Sequence, residues 1–444
     1  MRKIAVGLLG LGNVGSGVVK LLADNADSIR ERLGGASVEI RRILVRETEK
    51  QRLVDVDRKL ITKSASSILD DPEISIVVEL IGGEEKARQL VLDAIAHGKH
   101  VVTANKALLA AHGDELFAAA EKKNVDLYYE ASVGGGVPII RALREGLASD
   151  RITEVIGIVN GTSNFLLTKM TDEPQPFEQI LAEAQRLGYA EADSSLDVDG
   201  WDAAHKLCVL VPLCFGISIH TKDVLVEGLR GIEPIDFRYA ERFGFVIKPL
   251  VIAKDHGDSL EARVHPTLIP RRFMLASVND VYNAVYVSSH ALGQSMYYGR
   301  GAGMMPTAVA VVSDLLEVSR NLLSSSVGGP PTGRVRTPKR IRAAGELESR
   351  YYLRINVLDQ PGVLAQLAGL LGEQGISISE MVQEGQRTDG KSACVVMTTH
   401  IAREENMQAA LMRINLLPAV VAPTRLLRIF DRPGENATRG GKTA

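Results

Sequence analysis

The opening fifteen residues constrain this chain more than any other stretch. In MRKIAVGLLGLGNVG an apolar run breaks into Gly10, Gly12 and Gly15, and an amphipathic segment follows. That GxGxxG spacing is weak alone but informative where it ends a strand and opens a helix. Gly10 permits the tight turn, Gly12 lets the backbone approach a pyrophosphate, and Gly15 lets helix pack on strand. Asn13 and Val14 fall at the helix start, where free N–H groups suit an anion. The competing possibility is a plain strand-to-helix turn.

The pattern that follows favours the nucleotide reading. Apolar runs at 4–9, 38–45, 74–80, 100–103 and 126–130 read as strands, with helices at 13–25, 87–97 and 113–122. Strands separated by helices predict a parallel sheet with right-handed crossovers. After residue 132 the texture turns to glycine-rich loops, then longer strands and helices, and 306–323 reads as an amphipathic helix. The stretch 324–346 is rich in Ser, Gly and Pro and carries five positive charges between Arg334 and Arg342, as an exposed linker would. A patch for an anionic partner is the alternative. From 351 to 430 the order is strand, helix, strand, strand, helix, strand, the ferredoxin-like arrangement. Residues 431–444 read as a frayed tail.

Composition narrows the function classes. Fifty-two Lys+Arg against 54 Asp+Glu leave a net charge of -2, which speaks against a nucleic-acid binder. No apolar run reaches the roughly 18 residues of a membrane span. Three cysteines without a CxxC fit a reducing compartment, and the N-terminus lacks the pattern of a secretory leader, so a cytoplasmic location is expected. Cys208, Cys214 and Cys394 sit in apolar contexts and read as core.

Nicotinamide cofactors are discriminated at the end of the second strand, where an acidic residue suits NAD and an arginine suits the 2′-phosphate of NADP. Here Arg46 is followed by Glu47; Arg46 leans toward NADP, Glu47 leaves NAD open, and an idle surface arginine is the alternative. Hydride transfer at an alcohol carbon also needs a group that exchanges the hydroxyl proton. Lys106 follows the strand HVVT at the sheet's carboxyl edge, although a lysine at a helix start needs no function. In GYAEADSSLDVDGWDAAHKL, Glu191, Asp193, Asp197, Asp199 and Asp202 precede Lys206. A helix from Gly200 puts Asp202 and Lys206 on one face. The spacing is not that of an EF-hand. A solvated acidic face competes with a pocket for a substrate ammonium group in which Lys206 is the acid/base. Such a lysine needs its pKa lowered. His205 reads as structural.

Two loops add candidates. Glu130 and the carbonyls of the following Ser-Val-Gly-Gly-Gly-Val turn suit a hard cation, or form a plain glycine hinge. The run VNGTSNFLLTK places Asn160-Gly161-Thr162 before a helix whose N–H groups could hold a substrate carboxylate, with Thr162 or Ser163 as simple N-cap the alternative.

Together GLLGLGNVGSGV, VVTANKALLA, YYEASVGGGVPII, GIVNGTSNFLLTKM, GYAEADSSLDVDGWDAAHKL and GRGAGMMPTA resemble, in order and spacing over roughly residues 1–323, the homoserine dehydrogenases. YYLRINVLDQPGVLAQLAGLLGEQGISI resembles the opening of an ACT domain. The implied fold is α/β, with a Rossmann dinucleotide-binding domain at 1–131 to which 306–323 returns. An α+β substrate and dimerisation domain at 132–305, a linker at 324–349 and a ferredoxin-like ACT domain at 350–430 complete it.

The resemblance implies NAD(P)-dependent interconversion of L-homoserine and L-aspartate 4-semialdehyde, on the route to threonine, isoleucine and methionine. Lys206 falls on the proton donor/acceptor, Lys106 on a second lysine at the cofactor–substrate junction, and Asp202 and Asp197 on pocket carboxylates. Glu191 falls on the substrate-binding glutamate, with Thr162 a substrate contact. Glu130 with Val133, Gly135 and Val137 matches a monovalent cation site, usually sodium, and Gly188 and Gly303 match cofactor contacts beyond the loop. Ala192 replaces a common proline and Ser163 a common threonine, neither touching the chemistry. Threonine is the expected effector, with the helix start at 361–363 and the strand carrying Gln383 as candidates for its site, and a homodimer or homotetramer is expected. Competing readings are a Rossmann dehydrogenase for another amino or hydroxy acid, and an inactive NADP-binding amino-acid sensor. The acidic stretch argues against the first, and retention of both lysines against the second.

Overall fold

A computed structural model describes residues 2–328, 339–384 and 392–430. The predicted tail and the 329–338 part of the linker lie outside the described residues. Strands β1 (Lys3–Leu9), β2 (Ser37–Leu44), β3 (Ile61–Thr62), β4 (Ile74–Glu79), β5 (His100–Thr103) and β6 (Leu127–Tyr128) form a parallel sheet in the order β3-β2-β1-β4-β5-β6. This is the doubly wound dinucleotide-binding order, with its crevice at the carboxyl ends of β1 and β4. The central strands β1 and β4 are apolar and largely buried on both faces, as strands covered by helices are, whereas β2 carries Glu39, Arg41 and Arg42 nearer the edge.

Two boundaries differ from the sequence expectation. The helix expected at 113–122 spans Lys106–Lys123, because the Asn105 side chain accepts the Leu108 N–H and starts it a full two turns earlier. The strand expected at 126–130 keeps only Leu127–Tyr128, because Glu130 turns away into a short 3-10 turn. The Met304–Leu323 helix lies against the Asn13–Asp24 helix, and Val311, Leu315 and Val318 share a buried cluster with Leu8, Val18 and Val78. Gly17 makes the approach possible: a Cβ there would stand 2.7 Å from the Met304 carbonyl oxygen.

The second sheet is built from β7 (Ile152–Ile158), β8 (Leu225–Val226), β9 (Phe245–Asp255), β10 (Ser259–Pro270), β11 (Tyr282–Ser289) and β12 (Gln294–Arg300). Strands β13 (Arg340–Ile341), β14 (Glu348–Leu358), β15 (Ile378–Glu384), β16 (Ser392–Thr399), β17 (Ala402–Arg403) and β18 (Arg425–Ile429) follow. The main path runs β12-β11-β7-β9-β10-β18-β14-β16-β15. Its last four strands, with the Val363–Glu373 and Glu404–Asn415 helices, make the ferredoxin-like ACT unit. That unit is joined edge-on to the preceding sheet, since β18 pairs with β10 in parallel, Thr267 opposite Arg428 and Leu268 opposite Ile429. The described end of the linker is not free either. Arg340 and Ile341 pair with Ser259 and Leu260, which spends their backbone groups on the edge of β10.

Candidate active site

Three segments converge on one carboxylate. Gly200, at a φ of 88°, opens the Trp201–Phe215 helix, and its first turns carry Asp202 and Lys206. Lys206 Nζ donates to Asp202 Oδ2 at 2.6 Å and to the Val159 carbonyl at 2.6 Å. Lys106, first residue of its own helix, brings Nζ to 2.9 Å from Asp202 Oδ1. Lys206 and Asp202 are buried, whereas the Lys106 side chain is 40% exposed and opens outward.

Electrostatics separate the two amines. Burial pulls Lys206 below the ordinary lysine value, and Lys106 reinforces this against the attraction of Asp202. Burial opposes the charge of Lys106 too, but Asp202, with Asp197 and Glu191 behind it, wins and raises it. Asp202 is held well below the carboxylate range: burial works against its charge, and the two lysines overcome it. A pair of like groups with pKa values pushed apart is the signature of divided acid/base roles. His205, on the same helix, is lowered by burial against the attraction of Asp202.

Asn160 ties the cluster together, a role that its place before the helix does not by itself reveal. Its Nδ2 donates to Asp202 Oδ2 at 2.8 Å and Asp197 Oδ1 at 2.6 Å, while its Oδ1 accepts the Ser163 N–H at 2.7 Å. Asn160 is therefore the N-cap of the Gly161–Asp172 helix, not Thr162 or Ser163. Thr162 instead donates to the Tyr189 carbonyl at 2.7 Å, and Ser163 Oγ to the Asp197 carbonyl at 2.9 Å. The only available signal was an Asn-Gly-Thr after a strand, a pattern typical of caps. Glu191 and Asp193 stand exposed on the same acidic loop.

The glycine loop fits a dinucleotide. Gly10 has a φ of 106° and a would-be Cβ 2.7 Å from the Leu80 carbonyl oxygen. At Gly15 a Cβ would lie 2.3 Å from the Gly10 carbonyl oxygen. A Cβ at Gly12 would meet nothing within 4 Å, and Gly12 precedes the helix that begins at Asn13 and Val14 without a side-chain cap, so the helix start opens onto free space. A cavity of about 540 Å³ lies there, lined by Gly10, Gly12, Asn13, Arg46, Lys63 and Lys86 among others. Glu47 lines it as well, with its carbonyl bound by Arg52. Gly188 and Gly303 are not among its lining residues. Gly303, at a φ of 125°, starts the helix that packs on the glycine-loop helix, and Gly188 precedes Tyr189, whose carbonyl Thr162 binds.

Buried Glu79, at the carboxyl end of β4, accepts the Thr103 hydroxyl at 2.6 Å and the Ile81 and Gly82 N–H groups, which ties the carboxyl ends of β4 and β5 together. No local pattern in the sequence pointed to it.

The loop expected to hold a cation is braced by its own backbone N–H groups. The Glu130 carboxylate accepts N–H groups from Ile140 at 2.9 Å and Arg141 at 2.8 Å, and the Val137 carbonyl accepts that of Ile139. Gly135 is pressed against Gly301, where a Cβ would meet the carbonyl oxygen at 2.4 Å. Glu130 is raised by burial, and Asp314, which accepts the Glu130 N–H, is pushed up to about 7 by burial and by Glu130 itself. Among the described residues no three His, Cys, Asp or Glu converge on a metal. A cation here would rest on Glu130 and the carbonyls of Val133, Gly135 and Val137, an oxygen-only set suited to a hard ion.

Cys208 and Cys394 are buried, and burial pushes the Cys208 thiol up to about 12, far from a nucleophile. No helix among the described residues is long and apolar enough to cross a membrane. In the ACT unit, the Val363–Glu373 helix starts after Gly362 at a φ of 88°, and Gln383 lies on β15 opposite Val395.

Comparison with known proteins agrees with this architecture. The homoserine dehydrogenase family matches residues 138–316, the homoserine dehydrogenase NAD binding domain matches 10–130, and the ACT domain matches 351–417. The chain is 42% identical to the homoserine dehydrogenase of Bacillus subtilis, covering 95% of this chain and 96% of that one. It is 44% identical to the homoserine dehydrogenase of Synechocystis, covering 96% and 100%. The crystal structure of a homoserine dehydrogenase from Thiobacillus denitrificans superposes with a TM-score of 0.89 at 44% identity, over 97% of this chain and 99% of that one. Matched in this way through its nucleotide-binding, catalytic and ACT portions, the chain belongs to the homoserine dehydrogenase family of NAD(P)-dependent oxidoreductases acting on a hydroxyl group.

Proposed function

We propose that the chain interconverts L-homoserine and L-aspartate 4-semialdehyde with NADP as preferred cofactor, and that Lys206 moves the proton. The observation that carries this is the Lys106–Asp202–Lys206 cluster, in which one lysine is raised and the buried one lowered. Bound NADP supplies the hydride acceptor for oxidation, and NADPH the hydride donor for reduction. As hydride leaves the hydroxyl-bearing carbon of homoserine, the neutral Lys206 amine takes the hydroxyl proton. In reverse, its ammonium protonates the alkoxide. Asp202 orients Lys206, while Lys106, more exposed and charged, would meet the substrate oxygen at the junction with the cofactor.

Glu191 and Asp197 would bind the substrate ammonium, and Thr162 with the N-terminus of the Gly161–Asp172 helix its carboxylate, which fixes the reacting carbon. Gly10, Gly12, Asn13, Val14 and Gly15 would hold the pyrophosphate. Arg46, with Lys63 in the lining of the same cavity, supports recognition of a 2′-phosphate. Gly188 and Gly303 would border the nicotinamide half. Glu130 with the carbonyls of Val133, Gly135 and Val137 would hold a monovalent cation, sodium on the family resemblance, an ion suited to an oxygen-only donor set. The ACT unit would take threonine as feedback effector, placing the enzyme in threonine, methionine and isoleucine biosynthesis in the cytoplasm, as a homodimer or homotetramer.

The test is NADPH oxidation with L-aspartate 4-semialdehyde, with NADH in parallel and threonine titrated in. Fast turnover, a preference for NADPH and loss of rate with threonine are expected. Absence of turnover in protein that binds NADPH would overturn the reading.

A further inference from the structure

We infer that the ACT unit holds the substrate loop in place through one bridging segment, residues 227–236, so that Arg425 and Arg230 are positioning residues for substrate binding. This rests on the reading of the Glu191–Asp202 loop as the substrate-ammonium site.

The outer side of the bridge is gripped by three arginines of the ACT sheet. Arg428, buried on β18, makes two-pronged pairs with Glu227 at 2.7 and 2.8 Å and with Glu404 at 2.6 and 2.9 Å. Arg425 donates to the Arg230 carbonyl at 2.9 Å. Arg354 on β14 donates to Asp236 at 2.8 Å and to the Gly231 carbonyl at 3.3 Å, and Tyr352 donates to the same carboxylate at 2.9 Å. Planar two-pronged arginine pairs fix direction as well as distance. Both ends and the middle of the bridge are therefore tied to the ACT unit.

Its inner side is seated on the substrate loop. The Leu229 N–H donates to the Val198 carbonyl at 2.9 Å, and Arg230 Nε donates to Asp199 Oδ1 at 2.8 Å. Gly228 touches the loop so closely that a Cβ would stand 2.7 Å from both Asp199 Cα and the Val198 oxygen. At Gly200 a Cβ would stand 3.1 Å from Val226 Cγ1 and 3.3 Å from the Glu227 carbonyl oxygen. Val198–Gly200 joins Asp197 to Asp202, the two carboxylates that Asn160 spans. A shift of β18 thus reaches the pocket carboxylates through one packed segment. By linkage, a ligand that moves β18 changes substrate affinity, and substrate changes that ligand's affinity by the same factor.

The test uses full-length Arg230→Ala and Arg425→Gln, with Glu191→Gln as the check on the loop itself. Steady-state KM for L-homoserine and for NADP, kcat and Tm are measured for each. The expected result is a homoserine KM raised roughly three- to tenfold in both arginine variants, the range for residues coupled through a shared contact. NADP KM and Tm stay close to wild type, and the double variant is no worse than the poorer single one. An unchanged homoserine KM in both variants, with or without a lower Tm, overturns the inference if Glu191→Gln raises that KM. If Glu191→Gln also leaves it unchanged, the substrate-loop reading falls and takes the inference with it.

Discussion

Lys206 Nζ lies 2.6 Å from Asp202 Oδ2, one helical turn apart on the same helix, and both side chains are buried. Fixed in this way, the amine has one direction left for proton exchange. Burial lowers its pKa, so the neutral form is more accessible than in an ordinary lysine.

The pH dependence follows from that shift. Oxidation of homoserine needs the neutral amine, so kcat rises with pH along a limb centred below the 10.5 of an ordinary lysine. Reduction needs the ammonium and loses rate over the same range. Lys106→Met removes a neighbouring cation that lowers Lys206, so the limb moves to higher pH in both directions. A limb that stays in place in the variant would show that the two amines are not coupled.

Asn160 separates capping from clamping. Asn160→Asp keeps an N-cap oxygen for Ser163 but loses the donor to Asp197 and Asp202 and adds a third negative charge. Thermal melting and kinetics together check the outcome: Asn160→Ala costs about 0.5–2 kcal/mol of stability through the lost cap. Asn160→Asp is expected to lower kcat/KM at least as far as Asn160→Ala while retaining more of the wild-type Tm.

Cofactor choice is tested at Arg46. If its guanidinium meets a 2′-phosphate, Arg46→Ala loses about 1.5–3 kcal/mol of NADPH binding, the worth of a charged hydrogen bond. NADH affinity stays within a factor of two of wild type. Equal losses for both cofactors, read by fluorescence titration, would give the discrimination to other cations of the cavity.

Buried Lys248 donates to the Val278 carbonyl at 2.7 Å and Asn279 Oδ1 at 2.8 Å, beside the turn that Asn164 also binds. Burial lowers its amine from 10.5 to about 8. Between those values the unfolded chain binds the extra proton, so this group's contribution rises with pH, by about 3 kcal/mol at roughly 1.4 kcal/mol per pH unit. Urea unfolding of the wild type and Lys248→Met at pH 7.5 and 10 measures it. The variant lacks that rise.

How much of this was legible in the sequence depended on how local the cause was. β1, the glycine loop and the ferredoxin-like order were readable because apolar period and glycine spacing act within a few residues. The Asp202–Lys206 pair was readable because i,i+4 contacts follow from a helix alone. Asn105 capping moved a helix start by two turns, and Glu130 left its strand to cap Ile140 and Arg141; both are side-chain choices that periodicity cannot see. The tie made by Asn160 was missed because its partners are 37 and 42 residues away. The pairing of Thr267 with Arg428, which fuses the ACT sheet to the catalytic one, has no local signature at all.

The central claim is that Lys206 carries the proton, and Lys206→Ala tests it most directly. NADPH oxidation with L-aspartate 4-semialdehyde is followed alongside NADPH binding by fluorescence. The account predicts a kcat reduced at least about a hundredfold, in the range for removal of a general acid, with NADPH affinity nearly unchanged. Turnover at the wild-type rate in that variant would contradict it.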